Sequence, residues 1–450
     1  MKRSKKQNDR RPRAPGAAQP ARSHTAALTP MLVSIEKPIY GGAFLARAEG
    51  KAIFTPLTLP GEQARVRIVD DRRGYAFAEA EEIVSTTAER AAPACPHFGP
   101  CGGCHYQHAG YEAQLAFKEA ILRETLERAG IPPPEKITVL SAEPWKYRNR
   151  IRLAFDAAGD PGYRGRRSHA IVPIRECPIA APLLVKAALA AAELFRSSPF
   201  AQRPAEMSLF CDGNESALLM SATVAAPSKS LVEDFAGELE REIPELHGVE
   251  FSTEGLPGRQ PRSSAQWGSN SLLYRAAGFD YRVEQGAFFQ VNRWLIDEFV
   301  GSVTSGHRGS VAWDLYAGVG LFARHLSSNF ERVVAVESSS PPIPALEANL
   351  SGVPATSVSA TAVEFLGSST AAKPDLIVVD PPRAGLGAEA TSLLAEVAAP
   401  AFVYVSCDPA TLARDLRPLL SAGYTIESVA LADLFPQTFH IESVVQLKRA

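Results

Sequence analysis

Hydrophobic and polar positions change their period along this chain of 450 residues. Between Leu32 and about Val84, apolar and polar residues alternate in short runs separated by turns. Ala64, Val66 and Ile68 alternate with Arg65 and Arg67, and Tyr75 and Phe77 alternate with Ala76 and Ala78. A period of two is that of half-buried strands. Tyr40-Gly41-Gly42 and Leu59-Pro60-Gly61 punctuate them as turns. So many strands in so short a stretch predict a small β-barrel, of which the oligonucleotide-binding type is one, with a basic outer face at Arg65 and Arg67.

Further on, the pattern predicts a helix from Tyr111 to Ala129 that stops at Gly130. Residues 145–285 read as mixed strands and helices, with helices around Leu183–Arg196 and Ser228–Glu242. Within Tyr147–Phe155, Arg148, Arg150 and Arg152 fall on one strand face and Ile151 and Leu153 on the other. Three guanidiniums in a row suit phosphate contacts; a solvated edge strand has the same pattern. From about Gln285, apolar strand-like runs (Ser310–Leu315, Arg332–Val336, Leu376–Val379, Ala401–Val405, Ser443–Leu447) alternate with helical stretches such as Pro344–Leu350 and Ala388–Val397. This predicts a doubly wound, Rossmann-like α/β sheet with ligands at the carboxyl ends of its strands. The expected organisation is a basic tail (1–28), a barrel (29–88), a mixed α+β central domain (89–284) and the α/β domain (285–450).

Composition adds little: 46% hydrophobic and 21% charged residues are ordinary for a globular chain. No run of eighteen apolar residues and no signal-peptide pattern occurs, so a membrane span or a secreted disulfide scaffold is disfavoured and a cytoplasmic protein is expected. Charge adds more. Residues 1–28 carry eight Lys and Arg against Asp9, so the net −2 of the chain is a +7 tail on a −9 body. With almost no large apolar residues, that tail reads as disordered. Such asymmetry raises the expectation of a nucleic-acid partner.

Four constellations carry chemistry. Asp314-Leu315-Tyr316-Ala317-Gly318-Val319-Gly320 follows an apolar strand and precedes a helix beginning near Leu321. Glycines there let a ligand approach the backbone, and Glu337, ending the next strand, suits ribose hydroxyls. S-adenosylmethionine fits this turn better than NAD. Asp380-Pro381-Pro382-Arg383 ends the strand Leu376–Val379; Arg383 stands where amine-methylating enzymes of this fold place an aromatic, which argues against exocyclic-amine methylation. Ser406-Cys407-Asp408-Pro409 follows the strand Ala401–Val405. A single cysteine is by default a core residue, but Cys407 sits at the carboxyl edge, in a turn, beside the expected cofactor cleft. Thiolate suits addition to C6 of uracil, which makes C5 nucleophilic; Glu442 is the candidate base for the C5 proton. Finally, Cys95, Cys101 and Cys104, with Cys177 far along the chain, read as a metal centre rather than disulfides. Spacing leaves zinc and iron–sulfur equally open.

Taken together these motifs resemble the RNA uracil-5-methyltransferase family, in its iron–sulfur branch acting on 23S rRNA, over about residues 30–450. The resemblance implies that the barrel is a TRAM domain and that Cys95, Cys101, Cys104 and Cys177 bind a [4Fe–4S] cluster. It further implies that Gln290, Tyr316, Glu337 and Asp380 contact S-adenosylmethionine. Cys407 matches the nucleophile, and Glu442, in Phe435-Pro436-Gln437-Thr438-Phe439-His440-Ile441-Glu442, the base. Phe288, with Arg148 and Arg150, would contact the RNA. A monomer is expected. tRNA T-loop methylation and a non-catalytic RNA-binding assembly factor are the alternatives, and a small-molecule methyltransferase would explain neither barrel nor tail. Two departures stand out. Asp408 replaces the family's Asn and is expected to raise the Cys407 pKa, and Leu321 replaces an Asn after the glycine turn.

Overall fold

A computed structural model of the chain describes residues 30–197, 200, 204–253, 255, 263–368 and 372–449; the basic tail lies outside them. Five strands close a barrel in the order Met31–Ile39, Ala43–Ala48, Lys51–Pro56, Tyr75–Ser85, Gln63–Arg72. The alternation read from sequence is the one observed: Val33, Ile35, Ala64, Val66, Ala76 and Ala78 point inward and are buried. The expected basic outer face is not free, however. Arg65 pairs with Glu82, and Arg67 with Glu79 and Glu81, across neighbouring strands. The barrel core extends past the barrel to Tyr106 and Phe117, the latter on the helix Tyr111–Arg128. That helix ends at Ala129, where Gly130 takes a positive φ of 75°.

The central part is a seven-stranded sheet in which Arg150–Phe155 lies between Glu206–Cys211 and Pro161–Arg164. Helices Pro182–Arg196 and Lys229–Glu242 contribute to one core with Ile151, Leu153, Leu209 and Met220. The face bearing Arg150 and Arg152 instead borders an open groove of about 450 Å³.

The third unit is an eight-stranded sheet in the order Ala355–Ser359, Phe330–Glu337, Gly309–Leu315, Leu376–Val379, Ala401–Ser406, Glu442–Arg449, Tyr424–Ala432, Thr138–Leu140. Gly309–Leu315 pairs in parallel with Phe330–Glu337 on one side and Leu376–Val379 on the other. Strand order therefore reverses beside it, and that switch point is where such sheets open a ligand crevice. Glu442–Arg449 runs antiparallel to both neighbours. The last strand, Thr138–Leu140, comes from far upstream.

Candidate active site

The sheet brings the motifs to one edge. Tyr316, Glu337, Asp380 and Cys407 all end or follow parallel strands, so they emerge at the carboxyl edge. Glu442 joins them because its strand runs the other way: Ser406 pairs with Ser443, which sets Cys407 opposite Glu442. Ser443 tightens this register by donating its hydroxyl to the Ser406 carbonyl, 3.2 Å away.

Around the glycine turn the backbone is held for close approach. Tyr316 adopts φ 67°, Gly318 55° and Gly320 87°, a left-handed run that non-glycine residues rarely adopt. A Cβ on Gly320 would also meet the tip of the Leu346 side chain at 2.8 Å, so Leu346 would have to shift. The two Glu337 carboxylate oxygens accept from the backbone N–H groups of Gly318 (2.9 Å) and Ser339 (2.6 Å). Each oxygen keeps a further lone pair for a ligand hydroxyl. Asp314 is fully buried and accepts from Ala323 N–H, while its other oxygen has no partner. Burial, followed by Asp380 and Glu337, pushes its pKa up to about 8. Leu321, at the family's Asn position, is buried; its carbonyl accepts from the Tyr281 hydroxyl. The Gln290 carbonyl accepts from Asn149, and its side-chain amide has no hydrogen bond among the described residues.

Cys407 is half-buried, and burial, then Glu442 and Asp380, pushes its thiol up to about 12, while Arg383 pulls the other way. Burial raises Asp380 to about 7. Burial, with Asp380 beside it, also raises Glu442, against the pull of Arg383. One cation, Arg383, thus acts on both the thiol and Glu442. Next to Cys407 in sequence stands Asp408. Its carboxylate is turned to the helix Pro409–Ser421, accepting from Ala410 and Thr411 N–H as its N-cap.

Sequence reasoning missed the wall of this site. Tyr40, in a barrel turn, donates to the Cys407 carbonyl at 3.4 Å and meets the Phe439 ring edge-on at 5.5 Å. His105, beside the Cys loop, packs on Phe439 at 4.6 Å. Arg383 donates to His440 at 3.2 Å, and burial and Arg383 lower that imidazole to about 3. Four separate stretches of chain contribute, and no local pattern announces such an assembly. Tyr40 was visible only as a turn residue.

Phe288 is 64% exposed, its ring free of core packing. Arg148, Arg150 and Arg152 border one groove, as their shared face predicted. Each also has internal surroundings: Arg148 lines the cysteine cavity, Arg150 stacks on Phe210 at 4.1 Å and donates to the Ala287 carbonyl, and Arg152 pairs with Glu206.

Cys95, Cys101, Cys104 and Cys177 are free thiols lining a single cavity with Arg148 and Tyr163. Burial, with Cys177 and Cys101 nearby, pushes Cys104 up to about 12. Among the described residues, no group of three or more His, Cys, Asp and Glu side chains is arranged to hold a single metal ion.

The TRAM domain model matches residues 30–80, and the tRNA (uracil-5-)-methyltransferase model matches residues 369–450. An RNA methyltransferase of Streptomyces avermitilis is 33% identical, with 93% of this chain and 98% of that one covered. A 23S rRNA (uracil(1939)-C(5))-methyltransferase of Halomonas elongata is 32% identical, covering 91% and 87%. In three dimensions the chain is similar to the tRNA (uracil-54, C5)-methyltransferase of Pyrococcus abyssi, crystallised with S-adenosyl-L-homocysteine. The TM-score is 0.74, at 24% identity over 92% of this chain and 99% of that one, a likeness of fold.

Proposed function

The chain belongs to the RNA uracil-5-methyltransferase family, and from that premise we propose that it methylates C5 of a uridine in 23S rRNA through a covalent Cys407–C6 adduct. The observation that carries the mechanism is the register that sets Cys407 opposite Glu442 at the mouth of the cofactor crevice. S-adenosylmethionine supplies an electrophilic methyl group on a sulfonium. Gln290, Tyr316, Glu337 and Asp380 are the residues that would hold it. Their fit rests on the left-handed glycine turn, the lone pairs left on Glu337 and the unbonded Gln290 amide.

Uracil C5 alone is a weak nucleophile. Cys407 gives its thiol proton to water and forms a bond to C6, and the C5=C6 electron pair moves to C5. C5 then takes the methyl group, and the pair of the broken bond stays on the departing sulfur. Glu442, as carboxylate, removes the C5 proton; the C–H pair re-forms C5=C6 and expels Cys407 as thiolate, which recovers a proton from Glu442. One proton in total is released to water. Burial gives Glu442 a raised proton affinity, which suits a base for a carbon acid, and Arg383 offsets the cost of the thiolate. Phe288 offers a face on which the extracted base stacks, worth about 1–3 kcal/mol against the few kcal/mol needed to extract it. Arg148 and Arg150 border the groove for the adjoining strand.

Cys95, Cys101, Cys104 and Cys177 are the residues that would hold a [4Fe–4S] cluster. Four thiols on one cavity are the donor set that such a cluster takes. Its role here is a clamp joining the Cys loop to the central sheet. Anaerobically purified protein should then be brown, with about four irons per chain; a colourless zinc protein would overturn this part alone.

The relatives with 23S rRNA in their names support the rRNA substrate, and the fold of the Pyrococcus protein keeps tRNA as the second reading. Mapping 5-methyluridine in rRNA and tRNA of a deletion strain decides between them: loss from 23S rRNA supports the proposal, and loss from tRNA alone overturns it.

A further inference from the structure

Where the barrel meets the Cys loop, a depression of about 250 Å³ is lined by Gly42, Gly102, His105, Arg164, Arg166 and Arg167 among others, and by no acidic residue. Glycines allow the closeness of its walls. Gly42 takes φ 84°, and a Cβ there would meet the His105 ring at 2.9 Å; one on Gly102 would meet the Arg164 carbonyl at 2.8 Å. Among the described residues, none of the three arginines forms an ion pair, whereas Arg65 and Arg67 on the same barrel are paired. Arg166 is fixed by donating to the carbonyls of Gly99 and Cys104. Arg167 is fixed by lying over the Phe77 ring at 4.7 Å, which leaves its in-plane N–H groups open.

Two braced guanidiniums and a third arginine on the same lining, with no carboxylate among the lining residues, make a receptor for an external anion. Two further observations say which anion. Phe77 belongs to an outward aromatic trio with Phe54 and Tyr75, at centroid separations of 5.7–6.0 Å, and such ledges beside basic grooves are how single strands are held. The depression also shares a wall with the candidate active site: His105 lines it and packs on Phe439, which touches Tyr40 above Cys407. We propose that this pocket binds a phosphodiester of the substrate RNA close along the strand from the target uridine. Arg164, Arg166 and Arg167 grip the phosphate, and the Phe54–Tyr75–Phe77 ledge takes a neighbouring base. This rests on the RNA-methylating reading above.

The test compares full-length protein with the double variants Arg164→Gln/Arg167→Gln and Arg164→Lys/Arg167→Lys, leaving Arg166 in place because it braces the Cys loop. Binding of fluorescein-labelled oligouridylate is titrated across a salt series. Each phosphate neutralised contributes roughly 0.7 to the single-strand slope of log K against log salt, so the Gln pair, which gives up one phosphate, should flatten it by about 0.7 and weaken binding by on the order of tenfold or more. The Lys pair should keep most of the slope. Unchanged S-adenosylhomocysteine binding and thermal unfolding verify that each variant folds. A Gln pair with wild-type affinity and slope would overturn the pocket. So would a pocket that loses binding of inorganic phosphate in the Gln pair while RNA binding stays put, which marks a free-phosphate site. Wild-type protein that neither binds nor methylates RNA would instead overturn the functional reading beneath it.

Discussion

The hydroxyl of Tyr40, in the turn closing the first barrel hairpin, donates to the carbonyl of Cys407, 367 residues away and 3.4 Å distant. The barrel is therefore part of the wall of the candidate active site. A long hydrogen bond of this kind is worth about 0.5–1.5 kcal/mol. Tyr40→Phe should cost only a few-fold in kcat, because the ring still packs on Phe439. Tyr40→Ala, which loses that packing, should cost at least ten times more. Equal losses in both variants would show that the hydroxyl, and not the ring, does the positioning.

Lys118 and Asp433 form a completely buried ion pair at 2.5 Å that ties the helix Tyr111–Arg128 to the loop leading into Glu442. Asp433 also accepts from the Tyr111 hydroxyl, and Gln114 exchanges hydrogen bonds with Gln437. Replacing one partner leaves a buried charge uncompensated, so Lys118→Met should destabilise by about 3–5 kcal/mol. In the double variant Lys118→Met/Asp433→Leu much of that loss should be recovered. Denaturant midpoints read both, and a double variant less stable than the single one would contradict the assignment.

Asp314 and Asp380 are raised to about 8 and about 7 from an ordinary 3.8. The folded chain then holds their protons more tightly than the unfolded chain, so their contribution is fullest below pH 4. It is lost as pH climbs through 7 and 8. Cofactor-free protein should show a urea midpoint that falls from acid toward alkaline pH in this window, with Asp314→Asn flattening its alkaline end. A midpoint that rises steadily from pH 5 to 8 would contradict it.

Asp408 caps the helix that follows Cys407. Asn caps equally well, so Asp408→Asn should leave stability and the pH dependence of Cys407 alkylation by iodoacetamide nearly unchanged. Asp408→Ala should lose about 1 kcal/mol, within the 0.5–2 typical of a lost cap. If Asp408→Asn shifts the alkylation profile to lower pH, the carboxylate acts on the thiol after all.

Strand periodicity made the carboxyl edge of the sheet legible in the sequence. Cys407, Asp380 and Glu337 end apolar runs, and in a doubly wound sheet the ends of the parallel runs meet at one edge. The barrel was legible for the same reason, since Ala64, Val66, Ala76 and Ala78 alternate as its inner face requires. Partnership between distant segments was not legible. Arg65 and Arg67 promise a basic face until Glu79, Glu81 and Glu82 arrive on the adjacent strand. The strand Thr138–Leu140 is too short to signal that it completes a sheet formed mostly from residues beyond 309. Tyr40, His105 and Phe439 each have an ordinary local context and acquire meaning only by meeting. The capping role of Asp408 was not legible either, because it depends on which backbone N–H groups the carboxylate finds.

The central claim is that Cys407 adds to the uracil and Glu442 releases it. The most direct measurement is intact-mass analysis of protein incubated with S-adenosylmethionine and RNA containing 5-fluorouridine, whose C5 carries no proton for Glu442 to remove. Wild-type protein should accumulate a covalent, methylated RNA adduct mapping to Cys407, and Cys407→Ala none. Glu442→Gln should accumulate the same adduct with ordinary uridine. An adduct that persists in Cys407→Ala, or its absence from wild-type protein that methylates ordinary RNA, would contradict the account.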